Sequence, residues 1–105
     1  MLKNYLISIT YALLIIGIIF LSTGSLFEAQ ANLVFNHLKA ILDAASMGFA
    51  HVVKVTVYLD DMNHFSTLNE IYTRNFSAPF PAREVVEVSR LPKDAMIEIS
   101  VIAMK

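Results

Sequence analysis

Between residues 29 and 45 the apolar side chains Ala31, Val34, Phe35, Leu38, Ile41, Leu42 and Ala45 recur at helical spacing. They form one stripe of an α-helix spanning Ala29 to Ala45. Gly48 follows where a left-handed residue would close such a helix. The period then changes to two. From His51 to Leu59, Val53, Val55, Val57 and Leu59 face one way and Lys54, Thr56 and Tyr58 the other, which predicts a strand with one face in a core. Asp60 and Asp61 end it. Asn63 is positioned to cap a second helix, whose buried stripe is Phe65, Leu68, Tyr72 and Phe76. Pro79 and Pro81 force an extended segment. Glu84 to Ser89 alternates as a strand, with Val86 and Val88 on one face. Leu91-Pro92-Lys93-Asp94 reads as a turn. Met96 to Ala103 is the last strand, with Ile97, Ile99, Val101 and Ala103 on one face.

The first segment has two readings. Tyr5 to Leu21, YLISITYALLIIGIIFL, carries no charge and follows Lys3. Its length sits at the lower edge of what spans a bilayer as a helix, roughly 17–25 residues. With Ala29-Gln30-Ala31 behind it, the run also resembles a signal peptide, although Ser22 to Ala31 is long for the approach to a cleavage point. The competing reading is two buried strands. Isoleucine, Thr10 and the tyrosines suit a pleated surface, Thr10-Tyr11-Ala12 can turn, and Gly17 can mark a bulge or a close backbone approach. Thr23-Gly24-Ser25 reads as a further turn.

With paired strands first, the order is strand, strand, helix, strand, helix, strand, strand. That is an α+β domain, a single sheet with two helices packed on one face. The chain has 105 residues, enough for one domain (1–105), and a domain this small gains from oligomerisation. A net charge of −1 gives no attraction to nucleic acid or to an anionic membrane. The absence of cysteine excludes disulfides, thiolate metal sites and a cysteine nucleophile. His37, His51 and His64 lack the spacing of a zinc motif.

Candidate chemistry is sparse. Arg83, after Phe80-Pro81-Ala82 at a strand start, can grip a carboxylate through two parallel hydrogen bonds, or can simply be solvated. Glu98, between Ile97 and Ile99, can act as a base or orient water, or can be a solvent-facing charge on the open face. Glu87 and Asn69 read as a sheet-surface charge and a polar helix position, and His64 as a residue near a helix start. Asn75-Phe76-Ser77 fits a glycosylation acceptor that matters only in a secreted chain. There is no catalytic serine–histidine–aspartate spacing and no phosphate-cradling glycine loop.

The stretch FPAREVVEVSRLPKDAMIEISVIA, from Phe80, resembles the signature of the Rid family (reactive intermediate deaminases, YjgF-like). Pro-Ala-Arg, Val-Glu-Val, Arg-Leu-Pro-Lys and Ile-Glu-Ile fall in register, and VVKVTVYLDDMNHFSTLNEIY and NHLKAILDAA also match. The resemblance implies a chorismate-mutase-like fold assembled as a homotrimer with pockets between subunits. It implies hydrolysis of enamines and imines, such as 2-iminobutanoate and 2-iminopropanoate, to 2-oxo acids and ammonia, with no metal or organic cofactor. By the same resemblance Arg83 would bind the substrate carboxylate and Glu98 would orient or activate water. Asn69 would lie near the pocket, the Gly17 backbone would line it, and Tyr5 would replace the pocket tyrosine. A cytoplasmic location is expected, with mitochondrial or membrane-anchored forms as alternatives.

Residues 1–28 depart from the family pattern. Ile16 and Ile18 stand where the family has serine and glutamine, the loops around Ser22 and Phe27 are short, and the Gly-Pro-Tyr opening is not recognisable. Glu84 and Val85 follow Arg83 where small or hydroxyl-bearing residues or cysteine are common, and Ser100 replaces a frequent second glutamate. These departures fit a truncated or mis-started chain. They leave two alternatives to an imine hydrolase: a non-enzymatic, small-molecule-binding or stress-related member, and a degenerate membrane-anchored one.

Overall fold

The computed structural model describes residues 4–10 and 25–105. Four strands and two α-helices follow in the order β1 (Asn4–Thr10), α1 (Leu26–Ala44), β2 (Val52–Leu59), α2 (Phe65–Asn75), β3 (Ala82–Glu87) and β4 (Ile97–Met104). Single 3₁₀ turns at Phe49–His51, Met62–His64 and Pro92–Asp94 join them. Strand order in the sheet is β1-β4-β2-β3. β4 is antiparallel to both its neighbours, while β2 and β3 run parallel with α2 as the crossover. The α+β expectation holds.

The N-terminal ambiguity resolves for its first half. Asn4–Thr10 pairs along β4, from Asn4 opposite Met104 to Thr10 opposite Glu98. A helix from Tyr5 to Leu21 is therefore wrong over those residues, and the β-branched content that favours a pleated surface explains why. Among the described residues no helix is long and apolar enough to cross a membrane. The second predicted strand, with Gly17, lies outside the described residues.

Helix α1 begins three residues earlier than its stripe suggests. Ser25 accepts a hydrogen bond from the Glu28 amide at 3.1 Å, and Glu28 places a negative charge in the first turn. Phe27, Ala31, Val34, Phe35, Leu38 and Leu42 are buried, whereas Ile41 is exposed. Gly48 does not close the helix. It has extended backbone (φ −136°), and Ser46 takes the left-handed position at φ 58°. The Met47 amide bonds to the Leu42 carbonyl at 2.8 Å and the Ser46 amide to the Asp43 carbonyl at 3.0 Å, which is a Schellman closure sealed by the buried Met47.

β2 also departs from simple alternation. The register slips between Val52 and Lys54, leaving Val53 as an extra residue that is 44% exposed while Val52 is buried. A bulge has moved the first inward valine back by one. From Val55 onward the expected face holds, with Val55, Val57 and Leu59 fully buried. They meet Ile97, Ile99, Val101 and Ala103 of β4 in the layer beneath the helices. Asn63 does not cap α2. Asp61 accepts from the Asn63 amide at 2.9 Å and opens a 3₁₀ turn, so α2 starts at Phe65.

β3 is the least buried strand. Arg83 pairs with Val55 and Val85 with Val57, so Arg83, Val85 and Glu87 share the helix-covered face. Val86, read with Val88 as one face of the strand, lies on the opposite side and is 40% exposed. Val85 takes the inward role, packing against the core.

Candidate active site

The crossover β2–α2–β3 brings helix side chains to one edge of the sheet. Asn69 and Tyr72 stand one turn apart on α2 and therefore share a face. Arg83 rises from the edge strand toward that face. Its Nη1 donates to Asn69 Oδ1 at 2.7 Å. The guanidinium carbon lies 4.7 Å from the Tyr72 ring centroid and 5.7 Å from that of Phe65. Contacts of this kind contribute roughly 0.5–1 kcal/mol each when exposed. Tyr72 stacks on Phe76 with centroids 4.5 Å apart, and Phe76 packs edge-on against Phe35 and Phe49. The arginine thus rests on an aromatic cluster rooted in the core.

Tyr72 is itself buried, and its hydroxyl has no hydrogen-bond partner among the described residues. Burial pushes its pKa up, while the positive charge of Arg83 pulls the other way. Beside these groups opens a cleft of about 310 Å³, lined by Asn69, Tyr72, Thr73, Phe80, Pro81 and Arg83. A guanidinium carries five donors in a rigid fork, of which Asn69 engages one, so a carboxylate entering the cleft meets a preset binding group.

Glu87 has a structural part that sequence reading missed. Its carboxylate accepts from the Met62 amide at 2.7 Å, tying the end of β3 to the turn before α2 and so fixing where Arg83 stands relative to Asn69. On the other side of the sheet Glu84 accepts from Thr56 at 3.0 Å and pairs with Lys54 at 3.4 Å. The Thr56 hydroxyl first and then Lys54 hold its carboxyl below the usual carboxylate range.

Of the five residues singled out, the structure brings two together, Arg83 and Asn69. Glu98 is half-buried on β4 between the fully buried Ile97 and Ile99, so it occupies the sheet face away from the helices, beside Tyr58 in the register. Within one chain it does not meet Arg83. Tyr5 pairs with Ala103 on the strand at the opposite edge from β3. Gly17 is outside the described residues. His64 ends the turn before α2 and stacks on Phe27 with centroids 4.2 Å apart. Among the described residues no group of histidine and carboxylate side chains gathers closely enough to hold a metal ion.

A family model described as endoribonuclease L-PSP covers residues 19–105, and the chain belongs to that family, the one to which the Rid signature points. A RutC family protein of Pyrococcus horikoshii is 54% identical over 76 residues, 72% of this chain and 60% of the relative. A 2-iminobutanoate/2-iminopropanoate deaminase of Salmonella typhimurium is 45% identical over 89 residues, covering 79% of this chain and 70% of the relative. The crystal structure of Escherichia coli TdcF with bound serine superimposes with a TM-score of 0.73 at 38% identity, covering 80% of this chain and 68% of that one. The matched region spans about three fifths of the length of several of the curated relatives.

Proposed function

We propose that this protein hydrolyses 2-imino acids and their enamine tautomers, such as 2-aminoacrylate, 2-iminobutanoate and 2-iminopropanoate, to 2-oxo acids and ammonia. Arg83 grips the carboxylate and Asn69 holds Arg83. Water adds to the iminium carbon as Glu98 takes its proton; that proton passes to the carbinolamine nitrogen, the C–N bond breaks as the hydroxyl oxygen forms the carbonyl, and the hydroxyl proton leaves by way of Glu98 to the departing ammonia. An iminium carbon is already electrophilic, so anchoring the substrate and placing the water supply most of what the reaction needs. The carrying observation is the guanidinium preset at the cleft by the 2.7 Å bond to Asn69 and the ring of Tyr72. Relatives named as iminobutanoate deaminases and a neighbour holding serine, itself a small carboxylate, support the same reading.

We also propose that the working form is a homotrimer in the cytoplasm. Arg83 and Glu98 occupy opposite faces of one sheet, so a site using both requires a second copy to bring its Glu98 to the first copy's Arg83. A nucleic-acid substrate would call for a basic face. The net charge is −1, and Arg83 is the one cation among the described residues lining the cleft.

The test is release of 2-oxo acid and ammonia from freshly generated 2-aminoacrylate. Losing a charged hydrogen-bonded anchor costs about 1.5–3 kcal/mol, so Arg83→Ala should lower kcat/KM roughly 10- to 150-fold. Arg83→Lys should recover only part, because an ammonium cannot bind bidentately. Equal rates for Arg83→Ala and wild type would sink the proposal. The second reading, a carboxylate-binding protein without turnover, is favoured by the Arg83 cleft being formed within one chain while Glu98 lies elsewhere. Thermal shifts with small carboxylates in the absence of turnover would select it.

A further inference from the structure

Next to the Arg83 cleft lies a second, smaller cavity of about 80 Å³, whose lining includes Phe49, Asn75, Phe76, Ser77, Pro79 and Pro81. Pro81 lines both cavities. Tyr72 lines the cleft and Phe76 the smaller cavity, so the stack of these two rings is the wall between them. The Asn75 Nδ2 donates to the Ile71 carbonyl at 2.8 Å, which leaves Oδ1, an acceptor, as the end of the amide open to a ligand. The Ser77 hydroxyl can accept as well. Phe49 and Phe76 supply aromatic rings, whose faces attract positive charge. Helix α2 ends at Asn75, which puts the negative end of its dipole at the same place. No charged side chain is among the described lining residues, so an anion finds no cation here and a divalent metal no carboxylate.

We propose that this cavity binds a small monovalent cation that donates hydrogen bonds, and that its guest is ammonium. A volume of about 80 Å³ takes an ion of water's size with roughly one or two waters beside it. Sodium is smaller, more strongly hydrated and carries no donor, so rings and neutral oxygens select against it. Binding rests on the cavity alone. Its role, holding the ammonium formed on the other side of the Tyr72–Phe76 wall, rests on the hydrolysis proposed above.

The experiment melts the whole protein in ammonium chloride and in sodium chloride at equal ionic strength. Ammonium should raise the midpoint above sodium, and saturably. Phe49→Leu keeps apolar bulk but removes one ring, and should raise the half-saturating ammonium concentration roughly 2- to 30-fold, whereas Phe49→Tyr should leave it nearly unchanged. Ser77→Leu, at an exposed position, fills the cavity and should abolish the effect. Equal wild-type midpoints in the two salts, an ammonium effect unchanged in Phe49→Leu, or one that survives Ser77→Leu overturns the site, and Ser77→Leu decides alone if Phe49→Leu does not fold. In the 2-aminoacrylate assay ammonium, but not sodium, should lower kcat and leave KM unchanged, because it sits outside the cleft, and Ser77→Leu should relieve this. Competition with substrate, or no inhibition, overturns the role. A wild type that hydrolyses no imine ends the hydrolysis reading and the role with it, while the melts still decide the site.

Discussion

Mixing two strongly impaired variants should restore activity. Arg83 pairs with Val55 on β2, and Glu98 pairs with Tyr58 on the same strand. The two positions are thus two strand spacings apart and three residues along, roughly 14 Å between Cα atoms at about 4.8 Å per strand and 3.3 Å per residue. Their side chains also leave the sheet on opposite sides, which no three- or four-carbon substrate can bridge. A site using both must combine Arg83 of one copy with Glu98 of another. Arg83→Ala and Glu98→Gln should each be strongly impaired alone, Arg83→Ala roughly 10- to 150-fold. In randomly mixed oligomers an interface is intact when the Glu98→Gln copy supplies the arginine and the Arg83→Ala copy the glutamate. One half times one half gives about a quarter of wild-type activity averaged over all oligomers, and about a third in doubly tagged rings of three, from which single-variant oligomers are removed. Co-expression under two affinity tags, followed by the 2-aminoacrylate assay, reads this out. Doubly tagged oligomers as inactive as the parents would refute the reasoning.

Outcomes for three further variants follow from the packing. Ser46→Gly should stabilise the fold by about 0.5–1 kcal/mol in urea melts, because a left-handed residue closing α1 is strained with any Cβ. Tyr72→Phe should stabilise by about 1 kcal/mol near neutral pH, since it removes a buried hydroxyl that lacks a partner. Tyr72 has a folded-state pKa above its unfolded value, so wild-type stability should be complete below pH 10 and fall as pH rises past it, a loss absent in Tyr72→Phe. Phe35→Ala, at the centre of the aromatic cluster, should cost about 3–5 kcal/mol and shift the melting curve accordingly.

How much was legible depended on whether a signal was periodic or local. The stripe of α1 and the alternation of β4 survive almost intact, because burial of one face enforces a period, whereas α2 keeps Leu68 and Tyr72 but exposes Phe65 and ends before the buried Phe76. Val53 shows the limit: a bulge adds one residue, and the pattern before it slips to the other face without leaving a trace in composition. Ser25 was a missed signal of the readable kind, a serine three residues before a glutamate. Ser46 was not readable, since a glycine two residues later offered a better candidate for the same job. β3 misled because an edge strand carries few buried side chains, so Val86 and Val88 gave as good a pattern as Arg83, Val85 and Glu87. That parity is the choice that puts Arg83 beside Asn69, and only the pairing with β2 decides it. Asn69 was recoverable from the resemblance, whereas the Tyr72 floor, a core residue by spacing, needed coordinates.

The sheet face that neither described helix covers bears on the proposed assembly. On β2 and β4 it presents Thr56, Tyr58, Glu98 and Ser100 beside Ile102 and Met104, all half-buried in one chain and mixed in polarity. An ordinary solvated face needs no such apolar content, and a core needs no such carboxylate. A partly desolvated contact between copies accommodates both, with the apolar groups supplying area and the polar ones lining a shared site. Contact between this face on one copy and the Arg83 edge on the next joins two different patches. Such a heterologous contact leaves both patches open at the ends of any linear array, and only a closed ring gives every Arg83 a neighbouring Glu98. The same closure would bring another surface against β3, an edge strand whose outer backbone has no pairing strand among the described residues.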